Sequence, residues 1–115
     1  MGRLRRGAPR RVRGDRLIFG RKRFGDVIGR QLDVFAEDEA DGLLADLEEM
    51  KRRYDAADRD EAEEAYGDYV DAIDAVKDAL ADMRDRFAAT LDEDAAEQYE
   101  PAFEDAARRR WRWLS

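Results

Sequence analysis

From Tyr66 onward the apolar side chains fall at Tyr66, Tyr69, Ile73, Val76, Leu80, Met83 and Phe87, in alternating steps of three and four residues. That spacing keeps one stripe of a helix turned toward a neighbour for three heptads, and it predicts a helix over about residues 60–91. Asp71, Asp78 and Asp85 repeat seven apart on the outward side, with Asp68, Asp74 and Asp82 beside them. Val70, Ala72 and Ala79 flank the seam and widen it beyond what a two-stranded coiled coil needs, so a third helix is expected against it.

Ala40, Leu43, Leu47, Met50, Tyr54 and Ala57 form an earlier seam with the same steps, and it loses phase across residues 55–61. A stutter in one long helix or a reversal of the chain accounts for the slip. Reversal is favoured because Asp58 and Glu61 have the spacing of a capping box and acidic residues crowd the turn that follows. At 1.5 Å per residue, a helix over 60–91 spans about 48 Å and one over 40–57 only about 27 Å. Extending the first helix back through Phe35, Leu32, Ile28 and Phe24, which keep the 3/4 rhythm, restores the match at about 51 Å. Gly25, Gly29 and Gly42 weaken that stretch by about 1 kcal/mol each, and a local break is expected near Gly42.

Thr90 and Glu93 read as a capping box that opens a further helix, with Ala96, Tyr99, Phe103, Ala106 or Ala107, Trp111 and Leu114 on its apolar side. Pro101 removes one backbone donor and is expected to kink this helix or restart it after Glu100. The fold class that follows is all-α: an up-down-up three-helix bundle, a long antiparallel hairpin plus a kinked third helix. Residues 24–115 form the bundle in this reading. Residues 1–23 hold Gly2, Gly7, Gly14, Gly20 and Pro9 with almost no apolar rhythm and read as a flexible basic arm, in which only Arg16–Phe19 has the character to tuck against the body.

Composition narrows the chemistry. The chain has 115 residues, 43% apolar and 44% charged, which suits one amphipathic helical domain and leaves too little for buried sheets. It has no His and no Cys, so the usual general base, imidazole and thiolate metal ligands, thiol nucleophiles and disulfides are all absent. No window approaches a membrane span, and the apolar run Leu17–Phe19 is too short for a secretory signal, so a cytoplasmic protein is expected.

Charge changes the picture more than composition does. Residues 1–30 hold 11 Lys/Arg against Asp15 and Asp26, residues 31–107 hold 27 acids against seven Lys/Arg, and residues 108–115 add four arginines. A basic start, an acidic body and a basic-aromatic tip are thus concealed in the net −7. Arg3, Arg5, Arg6, Arg10, Arg11, Arg13, Arg21, Lys22 and Arg23 are the candidate polyanion-binding residues, able to neutralise RNA or DNA phosphates or to lie on an acidic surface, the chain's own included. Arg108, Arg109, Arg110 and Arg112 complement a helix dipole. With Trp113, which turns away from the apolar side, they are the candidate partner contact. In the bundle these two basic clusters lie some 30 Å apart and do not form one footprint.

The stripe Asp71, Asp74, Asp78 and Asp82 reads as a solvated face before it reads as a cation site, since carboxylate metal sites in bundles draw ligands from several helices. Phe24, Val27, Ile28, Leu32 and Phe35 with Arg21–Arg23 and Arg30 form a basic amphipathic helix that suits a membrane surface less well than it suits packing on the second helix. No nucleophile has a base, and no ligand set converges. The expectation is a non-catalytic helical adaptor without cofactor or metal. Its acidic bundle is a docking surface, and its partner is a protein or, through the arm, a nucleic acid. Self-association through residues 66–87 into a homo-oligomer and contact with a membrane through 16–36 are the alternatives.

Overall fold

The computed structural model describes the backbone of residues 8–114 and the side chains of residues 17–114. All regular structure in it is helical: α1 (Ala8–Asp38), α2 (Leu43–Ala56), α3 (Ala62–Ala88), α4 (Glu93–Arg110) and a closing 3₁₀ turn, Arg112–Leu114. There are four helices where three were expected, because the first breaks at residues 39–42. There the Glu39 carboxylate turns back to accept the Leu43 N–H at 3.2 Å, while the Glu39 carbonyl accepts from Gly42 and Leu44. Gly42 fits this turn because a Cβ on it would sit 2.8 Å from the capping Glu39 oxygen.

The α1–α2 pair runs against α3 in the opposite sense. Phe24 meets Phe87 at one end of α3, with ring centroids 6.4 Å apart, and Tyr54 meets Tyr66 and Tyr69 at the other, at 5.3 and 6.1 Å. The fourth helix lies along α1 in the same sense: Gly20 abuts Gln98 and Ala102, and Phe35 packs edge-on to Trp111. The body is accordingly elongated, 64 × 31 × 19 Å.

Three expectations change at this level. The face of Phe24, Ile28, Leu32 and Phe35 is buried, but chiefly against α4 and not on the long middle helix. The middle helix is not the centre of the core: among its seam residues only Val76 and Leu80 are buried, whereas α4 contributes the fully enclosed Tyr99 and Phe103. The physical reason is coverage, since α3 has both α1 and α4 beside its second half and only α2 beside its first. The basic segment read as a flexible arm to residue 23 is helical from Ala8, and Leu17 already packs on the core ahead of Phe24.

Caps and Pro101 also depart from expectation. Asp92, not Thr90, is the N-cap of α4: its carboxylate accepts the Ala95 N–H at 2.8 Å, while the Thr90 hydroxyl donates to the Phe87 carbonyl at the end of α3. A carboxylate at this position also complements the helix dipole, which selects Asp92 over the hydroxyl two residues earlier. Pro101 neither stops nor restarts α4, which continues from Glu93 to Arg110. Asp58 accepts the Glu61 N–H at 3.1 Å in the turn between α2 and α3, but the capping box expected there does not open the helix: Glu61 itself is the N-cap of α3, without a side-chain cap bond.

Candidate interaction surfaces

The basic residues assemble where α1 and α4 meet. Gly20 permits this, because a Cβ there would lie 2.1 Å from the Gln98 carbonyl oxygen and 3.0 Å from the Ala102 Cβ. At that separation Arg21 donates to Asp105 at 2.8 Å, and Arg109 reaches the same carboxylate oxygen at 3.0 Å. One member of each basic cluster, the two clusters being expected some 30 Å apart, thus meets on one carboxylate, whereas Arg110 and Trp111 sit beside Asp33 and Phe35, farther along α1. The expectation missed this contact because it placed the start of packing at Phe24, a full turn beyond the residue that makes it.

Other members of the two clusters are partly engaged. Arg23 donates to the Gln98 side chain at 3.5 Å and lies over the Phe24 ring, and Arg110 bonds Asp33 and covers Trp111. Lys22, Arg108 and Arg112 have no acidic partner among the described residues. Arg108 stands at the rim of a shallow cleft between α3 and α4 that also holds Lys77 and Arg84. Hydrogen bonding to Asp85 holds the Arg84 guanidinium above its usual range. Arg10, Arg11 and Arg13 occupy the first turns of α1, and Arg3, Arg5 and Arg6 lie outside the described residues. Trp113, read as turned to solvent, is half-buried and leans on Trp111 with ring centroids 6.4 Å apart, so it closes the end of the body.

The sequence reading missed what stands exposed on α1. Of Leu17–Phe19 only Leu17 tucks in, and Ile18 and Phe19 keep 55% and 54% of their surface. The signal was present: Phe24, Ile28, Leu32 and Phe35, carried backward at the same rhythm, pass through Gly20 and Leu17 and leave Ile18 and Phe19 off the buried stripe.

At the other end, α2 and α3 form a two-helix hairpin with no third helix on its face. Along that face Asp46, Met50, Arg53 and Ala57 follow one another on α2, and Ala65, Asp68, Ala72 and Ala75 on α3, each series in steps of three and four. They line a groove made of two successive shallow depressions, one holding Leu43, Met50, Ala72 and Ala75 and one, more polar, holding Ala56, Ala57 and Ala65. Its rim is acidic: Asp46, Glu61, Glu64, Asp68 and Asp71 pair with no cation among the described residues. Arg53 is the one rim cation, and Glu49 holds it at 3.1 Å. Hydrogen bonds from Arg52 and then Arg53 keep the Glu49 carboxyl below the usual carboxylate range.

Among the described residues no cluster of carboxylates converges on a metal position, and no helix is long and apolar enough to cross a membrane. The apolar face of α1 once available to a membrane is occupied by α4. No family model matches the chain, and no curated protein or solved structure shows significant similarity to it.

Proposed function

We propose that the chain is a non-catalytic binding protein whose basic end engages the phosphate backbone of RNA or DNA. One observation carries this reading: Arg21 of α1 and Arg109 of α4 share the Asp105 carboxylate, so one arginine from each basic stretch of the sequence stands on the same surface. Lys22, next to Arg21 on α1, and Arg112, just past the end of α4, are unpaired among the described residues and exposed, which leaves them available to phosphates at little desolvation cost. A surface of this kind recognises charge and not bases, because phosphate contacts position a protein without specifying sequence. The acidic remainder of the body repels the same polymer and confines contact to that end.

Titration of a labelled single-stranded RNA and of a DNA duplex at several salt concentrations tests the proposal. Affinity is expected to fall linearly with the logarithm of salt, and Lys22→Glu with Arg112→Glu to weaken binding to every sequence alike. Absence of binding at low salt, or binding indifferent to salt, overturns it.

A further inference from the structure

We infer that the groove on the α2–α3 hairpin receives the N-terminal part of α1 from a second copy of the chain. The inference rests on the reading above only in taking that part of α1 as a binding element. The face has the form of a seat for a helix: two shallow depressions follow one another along it, one holding Leu43, Met50, Ala72 and Ala75 and the other Ala56, Ala57 and Ala65, both edged by unpaired carboxylates. A helix that fits it has apolar side chains on one side, flanked by cations. Residues 8–23 meet that description through their charge and through one exposed apolar pair, not through a full apolar stripe. They carry Arg10, Arg11, Arg13, Arg16, Arg21, Lys22 and Arg23 against the single acid Asp15, and they present Ile18 and Phe19 uncovered.

Length agrees with charge. From Leu43 to Ala57 the groove runs about 21 Å, and residues 8–19 of α1 supply about 18 Å of helix. Within one molecule the two cannot meet. Phe24 packs at the Phe87 end of α3, so the start of α1 projects away from the Tyr54–Tyr66 end, with the roughly 40 Å of α3 between them. The occupant is therefore another copy. The contact joins different surfaces of the two partners, and it either closes as a reciprocal pair or continues as an open chain.

Two variants at exposed positions separate this contact from other modes of association. Ile18→Glu with Phe19→Glu spoils the inserted helix, and Asp68→Arg with Asp71→Arg spoils the seat. None of the four side chains is buried, and circular dichroism checks that both variants keep the native helix content. Sedimentation velocity of the full chain at about 50 mM salt is expected to show dimers or longer species that dissociate toward about 500 mM, as screening shortens the reach of the charges. Each variant alone is expected to associate at least about tenfold more weakly. An equimolar mixture of the two is expected to give a one-to-one pair, because each retains the surface the other lacks. A wild-type monomer at low salt, variants that associate as strongly as wild type, or a mixture that stays monomeric would each overturn the inference. Nucleic-acid binding is read separately on the Asp68→Arg/Asp71→Arg variant, whose basic end is intact, so failure of one proposal is distinguishable from failure of the other.

Discussion

Gly20, Gly25 and Gly29 divide into two different cases, and only contact distances separate them. A Cβ on Gly20 collides with the Gln98 backbone at 2.1 Å, whereas one on Gly25 or Gly29 meets nothing within 4 Å. Gly20→Ala is therefore expected to lose about 1–3 kcal/mol by forcing α1 off α4, while Gly25→Ala and Gly29→Ala each gain about 0.5–1 kcal/mol; urea denaturation of the three variants checks the opposed signs. Sequence alone ranks all three as weak helix formers and cannot see the neighbour that reverses the sign. Tyr99 gives a second residue-scale expectation. Its ring has no exposed surface, its hydroxyl donates to the Gln31 side chain at 2.9 Å, and burial pushes its pKa up to about 12 although the Gln31 contact pulls the other way. The unfolded chain releases this proton near pH 10 and the folded one only near 12. The stability tied to neutral Tyr99 is thus complete below pH 10 and lost as pH rises from 10 toward 12. Subtracting the alkaline denaturation curve of Tyr99→Phe from that of the wild type is expected to isolate this decline.

Among the helices, packing is divided unequally, and opening should follow the division. Between Leu47 on α2 and Val76 on α3 no residue is buried, although the Tyr54, Tyr66 and Tyr69 rings cluster there. Amides of residues 51–70 are expected to exchange with solvent well before those of 24–35 and 99–107, by hydrogen exchange read with mass spectrometry. The periodicity of Tyr66–Phe87 revealed the helix but not its surroundings, because a 3/4 rhythm reports which side is apolar and not how many partners cover it. The same limit explains why the Phe24–Phe35 stripe was assigned to the wrong neighbour: α3 and α4 present equally suitable apolar faces, and only the Gly20–Ala102 fit selects α4. The break at residues 39–42 was legible from Gly42, and the reversal at 57–61 from Asp58. Identification of Asp92 as a cap required knowing where α3 ends.

Over the whole molecule, the basic start of α1 and the acidic hairpin lie toward opposite ends of a 64 Å axis, and the C-terminal arginines lie between them, with Arg110 on Asp33. If one surface serves both nucleic acid and a second copy, the two compete, and adding RNA to self-associated protein is expected to release monomers bound to RNA in a sedimentation or light-scattering titration. Charge blocks were the most legible feature of the sequence, yet their consequence depended on the meeting of Arg21 and Arg109 at Asp105, which no spacing along the chain encodes. The missing histidines and cysteines then acquire a different meaning. With carboxylates and guanidiniums as almost all its ionisable groups, and no carboxylate, guanidinium or ammonium buried among the described residues, the protein carries a nearly fixed polarity throughout the neutral range. Acidification of a compartment by about one pH unit from neutrality barely alters that polarity, and ionic strength becomes the variable to which its encounters respond.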